Sequence, residues 1–311
     1  MYQGRLWLFR GYRNRGIIVI SIFVLIFTNT ILYGEENNKN IKLDNIKVDI
    51  EELKNIFNPA VKKFKDSKIK KIIIDPGHGG KDPGSIGVDK IKEKDVVLSF
   101  AIELRDELKK VLPDKEIVLT RDGDTYPTLE ERYKDANKNA NIDKEKSDNA
   151  IFISIHANAS LNSKAKGFEV YFLTSQESSE YARSVSLFEN ETIVKFSGIN
   201  PYKYKESSSQ ITHNYMLVEE YQRESRLLAE EIVKEAYKVD GVYHRSKPVV
   251  NALFYVLKGA LMPAVLVELG FITNPDDAKF LTTKDTRIKL VKSMAKAIKS
   301  YTEKIDTKLL N

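Results

Sequence analysis

Two imidazoles and one carboxylate in this chain each follow a short apolar run, and that placement suits them to chemistry. Lys71-Ile72-Ile73-Ile74 leads straight into Asp75-Pro76-Gly77-His78-Gly79-Gly80. Three β-branched residues read as a buried strand. Pro76 cannot donate a ladder hydrogen bond and Gly77 permits positive φ, so the strand stops and His78 lies just past its end. Ala150-Ile151-Phe152-Ile153-Ser154-Ile155 ends likewise in His156-Ala157-Asn158, and Pro263-Ala264-Val265-Leu266-Val267 ends in Glu268-Leu269-Gly270. Ligands of open α/β sheets bind outside the carboxyl ends of the strands. If these three strands are neighbours, the three side chains converge.

Two imidazoles with a carboxylate are a common ligand set for a hydrolytic zinc that keeps one position open. The chain has no cysteine, which excludes disulfides, a thiol nucleophile and thiolate ligands. Any zinc must be held by His, Asp or Glu. Glu93 and Asp95, in Ile91-Lys92-Glu93-Lys94-Asp95, both open the helix that returns from the His78 loop. Either can supply the third ligand, and either reads equally well as an acid complementing a helix macrodipole. Glu268 differs, because a carboxylate completing an apolar strand is desolvated unless a cation or a catalytic role compensates. A structural ion pair with Arg121 or Arg245 is the competing reading. A carboxylate near a zinc-activated water can take its proton and pass it to a leaving amine, so the assembled set is that of a metal-assisted amide hydrolase. His213 and His244 lie in polar surroundings and read as surface residues. The Ser-x-x-Lys matches at Ser67 and Ser163 lack the accompanying Lys-Thr-Gly and are set aside.

The elements that must position these groups alternate. A helix is expected over 94–112, with Val97, Ala101, Leu104, Leu108 and Val111 on one face and Pro113 at its end. A strand follows at 116–120, ending in Arg121. Thr128-Leu129-Glu130-Glu131 has the capping-box form and opens a helix to about Asn139. Strands are expected at 150–155, 168–173, 251–257 and 264–268, with helices near 276–281 and 284–304. Residues 175–240 interrupt the rhythm with an amphipathic run at Tyr181, Val185 and Phe188, a loop-like 190–210 and a helix over 215–237. The pattern predicts an α/β fold: one mixed, largely parallel central sheet flanked by helices, a single domain at 69–305 carrying a helical insertion at 175–240.

Hydrophobic residues make up 42% of the 311 residues, enough for a real core. The net charge of +6 traces to Arg5, Arg10, Arg13 and Arg15, since the remainder is nearly balanced. No basic stripe interleaves with aromatics, and nucleic acid is not an expected partner. The four arginines precede the apolar run from Gly16 to Phe27, so residues 1–34 read as a secretory signal peptide or an uncleaved membrane anchor. Either exports the domain, to the periplasm or cell envelope. Residues 35–68 read as a flexible tether.

Four blocks, in order, resemble the signatures of the type 3 N-acetylmuramoyl-L-alanine amidases. They are Asp75-Pro76-Gly77-His78-Gly79-Gly80, Glu93-Lys94-Asp95-Val96-Val97-Leu98, Ser154-Ile155-His156-Ala157-Asn158 and Val267-Glu268-Leu269-Gly270-Phe271-Ile272-Thr273-Asn274. The resemblance takes in Thr120-Arg121-Asp122 and Phe254-Tyr255-Val256-Leu257 and spans about residues 69–301. It implies zinc held by His78, Glu93 and His156, with Glu268 as the catalytic carboxylate, and so favours Glu93 over Asp95. It also implies hydrolysis of the amide joining N-acetylmuramic acid to L-alanine in peptidoglycan, in wall remodelling or daughter-cell separation. Asn158 and Arg121 become candidate substrate contacts or supports for the metal ligands. The interrupting segment resembles the insertion of cell-division amidases, whose helix covers the zinc until a LytM-type envelope activator withdraws it. Glu189 or Glu191 would then fill the open zinc position in the resting protein. The same residues leave room for a zinc peptidase cutting within the stem peptide, or for a non-catalytic envelope scaffold.

Overall fold

The computed structural model describes residues 68–141, 149–174, 179–197 and 208–308, with backbone alone at 192–194, 196–197, 208–220 and 308. The arginine-led segment and the tether lie outside the described residues. Among the described residues no helix is long and apolar enough to cross a membrane.

Six strands form one sheet: β1 (Ile69–Pro76), β2 (Glu116–Leu119), β3 (Asn149–Asn158), β4 (Phe168–Phe172), β5 (His244–Asn251) and β6 (Ala264–Phe271), in the order β2-β1-β3-β6-β4-β5. β2, β1, β3 and β6 run parallel, while β4 meets β6 antiparallel and carries β5 parallel to itself. The three strands ending in His78, His156 and Glu268 are therefore adjacent and point the same way. The expected mixed, largely parallel sheet is what forms.

Alternation of side chains divides the core in two. One face presents Ile72, Ile74, Ile151, Ile153, Ile155, Val265 and Val267 to three long helices, α1 (Glu93–Val111), α4 (Ser208–Ala236) and α7 (Lys284–Lys308). Phe100 and Leu104 of α1, Ile232 of α4, and Met294 and Ile298 of α7 fill that layer, all fully buried. The opposite face carries Ile73, Phe152, Leu266 and Tyr171, covered by α2 (Leu129–Asn139), the start of α3 (Glu180–Ser197) and the short α5 (Tyr255–Lys258). α6 (Pro275–Thr282) follows β6, with Asn274 accepting from the backbone of Asp276 and Asp277 at its start. The predicted capping box opens α2, with Thr128 and Glu131 each bonded to the other's backbone.

Two expectations are corrected. The strand expected over 251–257 lies earlier, at His244–Asn251, and residues 255–258 form α5. β5 is an edge strand with polar, partly exposed residues and Pro248, so no apolar run announces it. The apolar residues that follow are buried instead by a helical turn, with Val256 and Leu257 in the second core. The loop expected over 190–210 is also shorter: α3 continues to Ser197 and α4 begins at Ser208, with 198–207 outside the described residues.

Candidate metal centre

The end of β1 sets the first group. His78 has φ +55 and is followed by Gly79 and Gly80, also at positive φ. This left-handed turn folds the loop back so that Asp82 accepts from His78 Nδ1 at 2.8 Å. The bond fixes the tautomer and leaves Nε2 facing inward. The loop then pairs with itself, Glu93 N donating to Ser85 O at 3.0 Å, and delivers Glu93 as the first residue of α1. Glu93 is fully buried; its Oε2 accepts from Ser85 N at 2.9 Å and its Oε1 from Ala157 N at 3.0 Å. Asp95, two residues on, faces solvent.

β3 supplies His156, one rung beyond the Pro76–Ile155 pair and therefore opposite Gly77. A Cβ on Gly77 would lie 2.4 Å from the His156 ring. Glycine there is what lets the ring lie across the sheet. Gly84 is constrained in the same way, since a Cβ would meet Glu93 Oε2 and His78 Cδ2, each at 2.7 Å.

The fourth group comes from the insertion. α3 brings Glu189 Oε2 to 3.2 Å from His78 Nε2 and 3.1 Å from His156 Nδ1, while Glu93 Oε1 lies 3.1 Å from each of the same nitrogens. One ligand atom from each of His78, Glu93, His156 and Glu189 falls within a 4.8 Å span, all four residues buried. His78 Nε2 makes no well-formed hydrogen bond although it is buried. Two imidazoles and two carboxylates aimed at a common point suit a divalent cation with tetrahedral N/O ligation. Burial disfavours charge on both histidines, yet the two carboxylates outweigh it, holding His78 well above the ordinary value and His156 at about 10. The pocket concentrates negative charge and asks for a cation.

Glu268 pairs with His156 across the β3–β6 ladder and with Glu169 across the β6–β4 ladder, so His156, Glu268 and Glu169 share one row of the same face. It is fully buried and neither carboxylate oxygen has a hydrogen-bond partner. Burial, then the negative charge of Glu189, push it well above the usual carboxylate range. The ion pair considered for it does not form. Arg245 pairs with Glu169, and Arg121 donates to the backbone carbonyls of Pro76, Gly77, Gly123 and Lys94.

Of the remaining candidates, Glu191 is exposed on α3 and stays out of the cluster. Asn158 is buried and donates to the Tyr181 hydroxyl at 3.2 Å, touching the insertion. His244 is exposed and stacks on Tyr237, while the side chain of His213 lies outside the described residues. Four contributors escaped the sequence reading: Asp82, Arg132, Asn190 and Asp75. Asp75 carried a usable signal, since like Glu268 it is an acid completing an apolar run. Arg132 carried none, because an arginine on a polar helix looks solvent-facing.

The sequence profile of the N-acetylmuramoyl-L-alanine amidase family (Amidase_3) matches residues 72–300, which include every member of the cluster. The chain belongs to this family. The amidase AmiA of Escherichia coli K12 is 33% identical over 244 residues, spanning 78% of this chain and 79% of AmiA. Among solved structures, the N-acetylmuramoyl-L-alanine amidase of Clostridium difficile 630 superposes with a TM-score of 0.55 at 25% identity, over 76% of this chain and 98% of that one. AmiC2 of Nostoc punctiforme gives 0.52 at 26% identity, over 75% and 97%. The mixed six-stranded sheet and its flanking helices are thus the architecture of this amidase family.

Proposed function

We propose that this chain is an exported zinc amidase that hydrolyses the bond between N-acetylmuramic acid and L-alanine in peptidoglycan. The observation that carries the reading is the convergence of His78, Glu93 and His156 beside Glu268, in a chain of the amidase family. Zinc, when bound by His78, Glu93 and His156, supplies Lewis acidity and lowers the pKa of water to about 7. Asp82 orients His78 through Nδ1, and the amides of Ser85 and Ala157 hold the Glu93 carboxylate. Glu268 is the proton carrier. Its unbonded, desolvated carboxyl sits on the His156 row, where it can accept a proton and return it to the departing amine. Tyr126, Leu129, Phe254 and Val256 line the cavity that reaches the cluster and give it an apolar wall.

Glu189 adds a second layer to the reading. It is the fourth donor of the cluster and belongs to the insertion, so the resting protein is self-blocked until α3 moves. An envelope activator of the LytM type would be the agent of that movement.

The test is to digest isolated peptidoglycan with the purified, zinc-supplied chain and identify soluble products by mass spectrometry. Intact stem peptides with free L-alanine amino termini, lost on Glu268→Ala, are the expected result. Shortened stems still attached to sugar would mean a zinc peptidase. No product from either the wild type or Glu189→Ala, with zinc bound, would mean a scaffold.

A further inference from the structure

His78 sits in a backbone conformation that a residue with a Cβ rarely adopts, at φ +55, and it does so at the end of a strand where the ladder no longer satisfies carbonyls. The three consecutive carbonyls of this turn are all taken by two arginines. Pro76 O accepts from Arg121 Nε at 2.9 Å and Arg132 Nη1 at 2.7 Å, Gly77 O from Arg121 Nη2 at 2.7 Å, and His78 O from Arg132 Nη2 at 2.6 Å. Arg121 Nη2 also donates to Lys94 O at 3.0 Å, the residue after Glu93. One guanidinium therefore ties the segment bearing His78 to the helix turn bearing Glu93. Arg132 is anchored in turn by Asp75 Oδ1 at 2.8 Å, and Asp75 accepts from Ser154 Oγ, two residues before His156 on β3.

Both arginines are almost wholly buried, at 1% and 4% exposure for Arg132 and Arg121. Two buried cations beside a site that collects a cation are electrostatically unfavourable, and burial followed by the proximity of Arg132 draws Arg121 down to about 10. Their charge is not what the site needs. Their planar forks are, because each reaches two or more carbonyls at fixed angles, which a lysine ammonium cannot do.

We propose that Arg132 and Arg121 are positioning residues: as a pair they hold the left-handed His78 turn against the first turn of the Glu93 helix, and so set the affinity of the site for zinc. The inference rests on the zinc reading above for its ligand, though not for its geometry.

The experiment compares Arg132→Lys and Arg121→Lys with Arg287→Lys in the full chain. Arg287 makes a two-pronged pair with Glu103 at 2.7 Å for each prong, far along α1 from the site, and serves as the control for a lost guanidinium. Hydrogen exchange of the metal-free proteins is followed over residues 76–84, where Gly77 N, Gly79 N and Gly84 N are hydrogen-bonded. Zinc affinity is measured by competition with a chromogenic chelator, and melting temperature on the same samples. The expected result is faster exchange confined to 76–84 and zinc binding weakened about 10–100-fold for both site variants, with Arg287→Lys changing only the melting temperature. Wild-type exchange and zinc affinity in Arg132→Lys, with only a lowered melting temperature, would overturn the proposal. Should Arg132→Lys fail to fold, Arg121→Lys, which keeps the Asp75–Arg132 pair, decides by the same criteria. If the wild type binds no zinc, the zinc reading fails, and the exchange arm alone judges the bracket: unchanged 76–84 exchange refutes it, accelerated exchange supports it.

Discussion

Glu268 has a complete shell of protein around it and nothing bonded to either oxygen. Glu268→Gln keeps its shape and removes its capacity to carry a proton. Peptidoglycan hydrolysis is expected to fall by about 10²–10⁴-fold, with zinc affinity from chelator competition unchanged; full activity in the variant would remove Glu268 from the reaction. Gly77→Ala probes the opposite constraint, since its Cβ would overlap the His156 ring. It should cost about 1–3 kcal/mol in a denaturant melt and weaken zinc binding together, because the ring must turn away. Asp75 is held below the ordinary carboxylate value: burial alone would raise it, but Arg132, Thr120 and Ser154 outweigh burial. The folded state thus binds this proton less tightly than the unfolded chain. Its stabilisation is present above the unfolded pKa of about 3.9 and is lost as pH falls through the lower folded value. Asp75→Asn should melt well below wild type at pH 7, with the gap closing in melts taken below about pH 4. A gap that stayed constant to pH 2 would mean that Asp75 contributes something other than its charge. Glu268 and both histidines were legible in the sequence because each ends a buried run. Asp82 was not, because only the left-handed turn brings it back to His78.

At the scale of elements, the proposed self-block turns on α3, which carries Glu189. It is pinned near its start, where the Tyr181 hydroxyl donates to Glu169 at 2.7 Å and accepts from Asn158, and again at Asn190. Asn190 Oδ1 accepts from Tyr255 N and its Nδ2 donates to Leu253 O, both at 2.8 Å, one residue past Glu189. Two such bonds, at about 1 kcal/mol each, amount to roughly a thirtyfold shift in a closed–open balance. Asn190→Ala is therefore expected to raise the basal rate of peptidoglycan release severalfold or more without added activator, measured against Glu189→Ala. Unchanged rates in both would argue that α3 does not block the site. The helix itself was visible in the spacing of Tyr181, Val185 and Phe188. Its far end was not, since the sequence from Asn190 onward has too little apolar periodicity to separate helix from loop. β5 was missed for the related reason that an edge strand with polar residues carries no hydrophobic signature.

For the whole molecule, the cluster joins the ends of β1 and β3 to the start of α1 and the middle of α3, so a cation bound there crosslinks elements far apart in sequence. Zinc at a hundred times its dissociation constant should add about 2.7 kcal/mol, a rise of roughly 5–10 °C in melting temperature for a domain of this size. His156→Ala should abolish the rise; an equal rise in that variant would locate zinc elsewhere. The sequence by itself determined the strands that end in chemistry, the amphipathic helices, the capping box of α2 and the family resemblance in four blocks. All of these are local, written in periods of 2 or 3.6 residues and in short motifs. Only the tertiary structure decided that β1, β3 and β6 lie side by side, that β4 and β5 reverse, that Glu189 and not Glu191 faces the histidines, and that Arg121 and Arg132 turn inward to the His78 loop. Those outcomes depend on strand register and on which carbonyls are left unsatisfied once the sheet has formed, and both are properties of segments distant in sequence.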